Sequence, residues 1–181
     1  MNRVWGHFKT ITRHKLKVMH LCFKVGLYKR GLLHDLSKYS WVEFSAGVRY
    51  YQGYRSPIDR EKEVLGYSQG WLHHKGRNLH HWEYWLDFDS EKKLRGMPMP
   101  LVYIAEMFCD RVAASQIYMK ENYTDHSALD YYLNGKGHII MHPETQTQIE
   151  AWLYMLSEHG LDNTLAAIRQ ALQQDKRKHK K

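Results

Sequence analysis

The chain of 181 residues is 43% hydrophobic and 25% charged, the make-up of one globular domain, which excludes a disordered or collagen-like protein. Its formal charge of +8 is unevenly spread: five of the 27 Lys and Arg residues lie between Lys176 and Lys181, and the other 22 face 19 acidic residues. A mildly basic domain over residues 1–175 with a cationic tail over 176–181 leaves nucleic acid as the least favoured partner, met through the tail and the Tyr- and Trp-bearing surface.

The predicted elements are helices in succession. Val4, Phe8, Ile11, Val18, Cys22 and Val25 recur at helical spacing, and Lys29-Arg30-Gly31 ends or bends this first helix. A short helical segment from Gly31 to Leu36 then carries His34 and Asp35. Ser40 and Glu43 read as a capping box before an apolar stretch that runs to Tyr51. Ser56-Pro57 starts a helix expected to reach Lys75, where Gly76-Arg77-Asn78 interrupts it, and a second short helix begins near Leu79. Asp87 to Pro100 reads as the longest irregular connection, punctuated by Gly96, Pro98 and Pro100. Leu101 to Tyr118, Ser127 to Leu133, Pro143 to Glu158 and Thr164 to about Lys176 complete an all-α single-domain bundle.

Cys22 and Cys109 both sit in apolar helical patterns and read as buried free thiols, not as a bridge. No apolar run approaches the ~18 residues that span a bilayer, and the first residues lack the core of a signal peptide. The expectation is a cytoplasmic protein with no membrane partner.

Thirteen histidines raise the question of where their rings converge. Adjacent helical residues point about 100° apart, so His34 and Asp35 can reach one cation together. His20 precedes them by fourteen residues on the first helix, and Asp110 lies between Cys109 and Arg111 on an apolar helix. A carboxylate in such a place costs several kcal/mol unless it is paired or holds a metal. Arg111 and Arg30 are its alternative partners. The doublets His73-His74 and His80-His81 supply further rings, one of each pair expected to face the site and the other to pack on Trp71, Trp82 or Trp85; which one is inward is open.

His20, His34-Asp35, the later histidines and Asp110 follow an order that resembles the HD superfamily of metal-dependent phosphohydrolases. Leu33-His34-Asp35-Leu36-Ser37-Lys38 is similar to its core motif, over a resemblance spanning roughly residues 14 to 118. The block Trp71-Leu72-His73-His74-Lys75-Gly76-Arg77-Asn78-Leu79-His80-His81 resembles an uncharacterised family of small bacterial and phage proteins and departs from the better-known HD enzymes.

The resemblance implies a helical bundle of HD type with metal ligands among His20, His34, Asp35, His73, His80 and Asp110, and catalytic groups among Lys38, His74, Arg77 and His81. One or two divalent transition ions (Mn, Fe, Co or Zn) suit that donor set better than Mg. The implied reaction is in-line attack of a metal-activated water on a small phosphorylated substrate such as a nucleotide. The alternative is a non-catalytic helical module that uses the metal for structure or sensing.

Overall fold

The computed structural model describes residues 2–178. Among these residues the protein is all-α, with nine α-helices and one small hairpin. The helices are α1 (Arg3–Lys24), α2 (Tyr28–Leu33), α3 (Trp41–Arg49), α4 (Pro57–Leu65), α5 (Gln69–Lys75), α6 (Leu101–Met119), α7 (Ser127–Gly135), α8 (Pro143–His159) and α9 (Leu161–Lys178). Of the cationic tail, Lys176 to Lys178 continue α9, and positions 179–181 lie outside the described residues. No described helix is long and apolar enough to cross a membrane.

Helix α6 is the axis of the molecule. It is apolar around most of its circumference, burying Ile104, Ala105, Met107, Phe108, Cys109, Val112, Ala113 and Ile117, as a helix enclosed on all sides must. Helices α1, α7, α8 and α9 pack around it. Val18, Leu21 and Cys22 come from α1, Ile149, Leu153 and Leu156 from α8, and Leu165, Ile168 and Leu172 from α9. Cys22 and Cys109 are buried free thiols within this core.

Two devices fold the site-bearing segment onto α1. The chain leaves α1 through Gly26 at φ 85°, a left-handed turn where glycine has no side chain to clash. Helix α2 then returns so closely that a Cβ on Gly31 would lie 2.9 Å from Cys22 Cβ and 3.2 Å from the Met19 backbone. Only glycine permits that approach.

The single helix expected from Ser56 to Lys75 is two. It breaks at Gly66, φ 79°, and restarts at Ser68, whose hydroxyl caps α5 by accepting from Trp71 N at 2.9 Å. Glu61 on α4 is buried against this new start, accepting from Ser68 Oγ at 2.5 Å and Gln69 N at 3.2 Å. The short helix expected near Leu79 is a 3-10 helix that begins at Trp82 and ends at Trp85, reached through turns. The expected irregular stretch contains an antiparallel hairpin, β1 (Leu86–Phe88) with β2 (Leu94–Gly96), paired Leu86 to Gly96. Asp89 closes its loop by accepting from the backbone of Glu91 and Lys93, a local side-chain turn that periodicity does not reveal.

His7 on α1 is buried against Phe44, Tyr51 and Gly47 with its Nδ1 unpaired. Burial first, then the Lys38 charge, hold its pKa down at about 4 against 6.5. The unfolded chain therefore takes up this proton first as the pH falls below 6.5. Stability contributed by neutral His7 is complete above that pH and is lost on the way down to about 4, by at most about 3 kcal/mol. Melting curves between pH 7.5 and 4.5 should flatten in His7→Gln relative to wild type; identical pH profiles would show that His7 does not titrate this way.

Candidate metal centre

The HisAsp doublet does not sit on a helix as expected. Helix α2 stops at Leu33, His34 leaves it at φ −52° and ψ 127°, and Asp35 adopts the left-handed conformation at φ 52° and ψ 28°. Aspartate is among the few residues that accept this region. Lys15 of α1 secures the turn, donating from Nζ to the carbonyls of Leu32 at 2.6 Å and His34 at 3.0 Å, so the last carbonyls of α2 meet a cation. The turn drives both side chains into the molecule, where His34 is 2% and Asp35 1% exposed.

Around Asp35 the rings converge. His34 Nε2 lies 3.3 Å and His14 Nε2 3.8 Å from Asp35 Oδ2, whereas His74 Nε2 and His80 Nε2 lie 3.3 and 3.5 Å from Oδ1. Asp110, from α6, completes the first set: its Oδ1 is 2.9 Å from His14 Nε2 and 3.6 Å from His34 Nε2. His81 joins His74 and His80 in the second set. Two groups of potential ligands share Asp35, one of His14, His34, Asp35 and Asp110 and one of Asp35, His74, His80 and His81, and a third joins His34, His80 and Glu106 behind them, each with donor atoms within 4.8 Å of one another. Asp35 turns a different oxygen to each of the first two.

These buried His, Asp and Glu clusters can hold a metal ion. Nε2 of His34, His74, His80 and His81 and Oδ1 of Asp35 are buried without a close hydrogen-bond partner, whereas Asp35 Oδ2 meets Lys38 and His14 Nε2 meets Asp110. Buried polar atoms are rarely left so, and here the unpaired atoms face each other. Donors about 2.1 Å from a shared cation stand roughly 3.0–3.5 Å apart at octahedral and tetrahedral angles, which matches the 2.9–3.8 Å separations.

Two further carboxylates orient the rings from behind. Glu106, one turn before Asp110, is fully buried; it accepts from His34 Nδ1 at 3.0 Å and Arg30 Nε at 2.6 Å and lies 3.4 Å from His80 Nδ1. Glu43 accepts from His74 Nδ1 at 2.7 Å and His73 Nδ1 at 2.6 Å. An Nδ1–H held by a carboxylate leaves Nε2 as the ligating atom, the usual arrangement at metal-bound histidine. The capping box expected of Ser40 and Glu43 is therefore absent: Ser40 Oγ makes no cap hydrogen bond, and Glu43 reaches α5 instead.

Most of the expected residues meet here. His34, Asp35, Asp110, His74, His80 and His81 are brought together, and Lys38 Nζ lies 2.6 Å from Asp35 Oδ2 with its side chain one-quarter exposed. Three are not. His20 is on the exposed side of α1, because six residues beyond His14 is about 120° away around the helix. His73 turns away from the carboxylate pair to Glu43, and Arg77 is exposed, donating only to the His73 carbonyl at 3.2 Å. The sequence reading missed His14, Glu106 and Glu43. Neither arginine offered as an alternative partner of Asp110 pairs with it: Arg30 holds Glu106, and Arg111 stacks on Tyr132 at 5.4 Å.

Electrostatics divide the rings into two kinds. Burial lowers the pKa of His14, aided by Lys38 and opposed by Asp110, and burial with the His80 and His74 charges pushes His81 well below its ordinary value. Both are thus neutral with lone pairs to donate. For His34 and His74 burial also lowers, but the Asp35 charge and carboxylate hydrogen bonds outweigh it and raise both. Burial alone would raise Asp35 and Asp110; His34, Lys38 and His74 hold the former, and His14 and His34 the latter, well below the carboxylate range. Cation binding here must release the ring protons.

Every one of these residues falls within positions 3–155, over which the chain matches a family described as one of unknown function, DUF5662. The chain belongs to DUF5662. No curated protein and no solved structure matches it. The DUF5662 region takes in α1 to α7 and most of α8, and so the whole centre, while α9 lies beyond it.

Two measurements test the ligand assignment. Elemental analysis of purified protein should show His14→Ala losing bound metal and His20→Ala keeping it; the reverse result would return the ligand role to His20. Glu106→Gln, which keeps shape but removes the charge that orients His34 and His80, should weaken metal affinity about 10- to 100-fold in a chelator competition. Unchanged affinity would show that Glu106 serves packing alone.

Proposed function

We propose that the protein is a metal-dependent phosphohydrolase of HD type, acting on a nucleotide or other phosphate ester. One observation carries the reading: Asp35 presents one oxygen to His14, His34 and Asp110 and the other to His74 and His80, so a single carboxylate can serve two ions. With His14 in place of His20, the order His14, His34-Asp35, His74, His80-His81 and Asp110 keeps the resemblance to the HD pattern.

A Mn, Fe, Co or Zn ion, one or two in number, would supply Lewis acidity toward phosphoryl oxygens and hydroxide near neutral pH. The chain supplies the rest. Asp35 and Asp110 remain ionised, and His14 and His81 remain neutral. Lys38 stays charged because Asp35 and Asp110 outweigh its burial, and its partial exposure places an ammonium where an anionic phosphoryl group can approach. Asp110, with a side chain 16% exposed, marks the same open edge.

A second reading rests on the enclosure of the centre, since His34, Asp35, His74 and His80 are each at most 2% exposed. Such a site also suits a non-catalytic module that uses metal for structure or sensing.

Metal-loaded protein assayed against nucleotides and simple phosphate esters separates the two. Asp35→Asn keeps the left-handed turn but weakens a shared ligand, and should cut turnover at least 100-fold with loss of metal. Lys38→Ala should retain metal while activity falls about tenfold or more. A metal-replete protein with no turnover on any phosphate ester, yet destabilised by chelation, would establish the non-catalytic reading instead.

A further inference from the structure

Helix α1 has a second face that the metal centre does not use. It carries six Lys and Arg residues and no Asp or Glu. Two of the six are engaged: Lys15 holds the end of α2, and Lys24 pairs with Asp162 at 3.0 Å. Lys9, Arg13 and Lys17 instead line a groove of about 610 Å³ beside α1, together with Trp5, Phe8 and His20. No carboxylate lines this groove among the described residues, and Lys17 meets only the neutral Gln116 of α6, at 3.0 Å.

Trp5, Lys9, Arg13 and Lys17 follow at four-residue intervals, a row that winds about 40° per step, so the three cations span about 80° of the helix circumference. The three cations cover about 12 Å of axis. Like charges four residues apart repel, which makes the row unfavourable unless an anion lies along it. At its end Trp5, 62% exposed, stands nearly parallel to Phe8, with ring centres 5.7 Å apart and planes 21° apart. Tyr39 braces Phe8 edge-on at 6.1 Å and is itself tied to Thr12 through its hydroxyl at 3.0 Å. A held, flat aromatic surface beside a row of cations is the combination that binds single strands, with bases stacked and phosphates neutralised.

We infer that the α1 groove is a sequence-tolerant binding site for single-stranded nucleic acid. The row of cations exceeds the reach of one phosphate group, which favours a strand over a mononucleotide. The groove runs along α1, with Gln116 of α6 at its side. His14 projects from the core side of the same helix, so the groove stands whether or not the metal centre is catalytic. It also assigns nucleic-acid contact to α1 instead of the C-terminal tail, and gives His20 a place in the groove wall.

Fluorescence anisotropy of a labelled 15-nucleotide oligothymidylate with the full-length protein tests this. Binding should saturate at low salt and weaken with a slope of log K against log salt near −2, as about three phosphate contacts require. Lys9→Glu with Arg13→Glu should weaken it at least tenfold, and Trp5→Ala about tenfold, with melting temperature and metal content unchanged. The proposal falls if no saturable binding appears. It falls if binding survives the α1 changes and is lost on charge reversal of Lys176, Arg177 and Lys178. It falls equally if Trp5→Ala has no effect and inorganic polyphosphate competes as well as oligothymidylate, or if anionic phospholipid vesicles bind and the oligonucleotide does not.

Discussion

The structure turns on one buried carboxylate. Asp35 has almost no contact with solvent, has a backbone in the left-handed region, and sets its two oxygens among the rings of four histidines, with only Oδ2 held by a lysine. Each feature is costly alone: desolvation of a charge, an uncommon φ, an unsatisfied acceptor. They occur together because α2 ends on Lys15, Gly31 lets α2 lie against α1, and Lys38 stands beside the carboxylate. A stable arrangement of this kind is understandable if the carboxylate meets cations, first the side chains around it and then a metal.

The surrounding architecture serves that group at two depths. Asp110 and Glu106 stand one turn apart on α6, so the most buried helix presents a carboxylate to the centre and another behind the rings. Glu43 does the second task from α3, for α5. Arg30 neutralises Glu106 at 2.6 Å, and the hydrogen bond from His34 with the nearby His80 ring helps to depress the pKa of Glu106 to about 2 against its burial. The centre is thus a charge-balanced network, and removing a single member leaves its neighbour buried and unpaired, which costs more than the lost contact itself.

Much of this was legible in the sequence. Helical periodicity located α1, α6 and α8, and the HisAsp doublet with Asp110 identified half of the centre. His14 was visible too, three residues after Ile11 and four before Val18 on the stripe that defines the buried side of α1; His20 is off that stripe. Glu106 had the same signature as Asp110, a lone carboxylate in an apolar helix. Other features could not be read. Which ring of His73-His74 turns inward depends on the break at Gly66 and on the packing of α5 against Glu43, and a capping-box pattern at Ser40 and Glu43 concealed a tertiary contact behind a local one.

Net charge misled for a related reason: it averages over faces that the fold separates. Before Asp35 the chain contains eight Lys and Arg residues and no acidic one. Folding then disposes of part of that excess, with Lys15 and Arg30 drawn inward to a helix end and to Glu106. Lys9, Arg13 and Lys17 remain outside on one side, while the acids that balance them in the total lie in other elements. A body that counts as mildly basic thus carries a helix face whose only charges are cations, set among exposed apolar side chains such as Trp5 and Leu16. Because α1 turns His14 inward and these cations outward, the same 3.6-residue repeat that builds the metal centre also gathers the cations on one side of the helix.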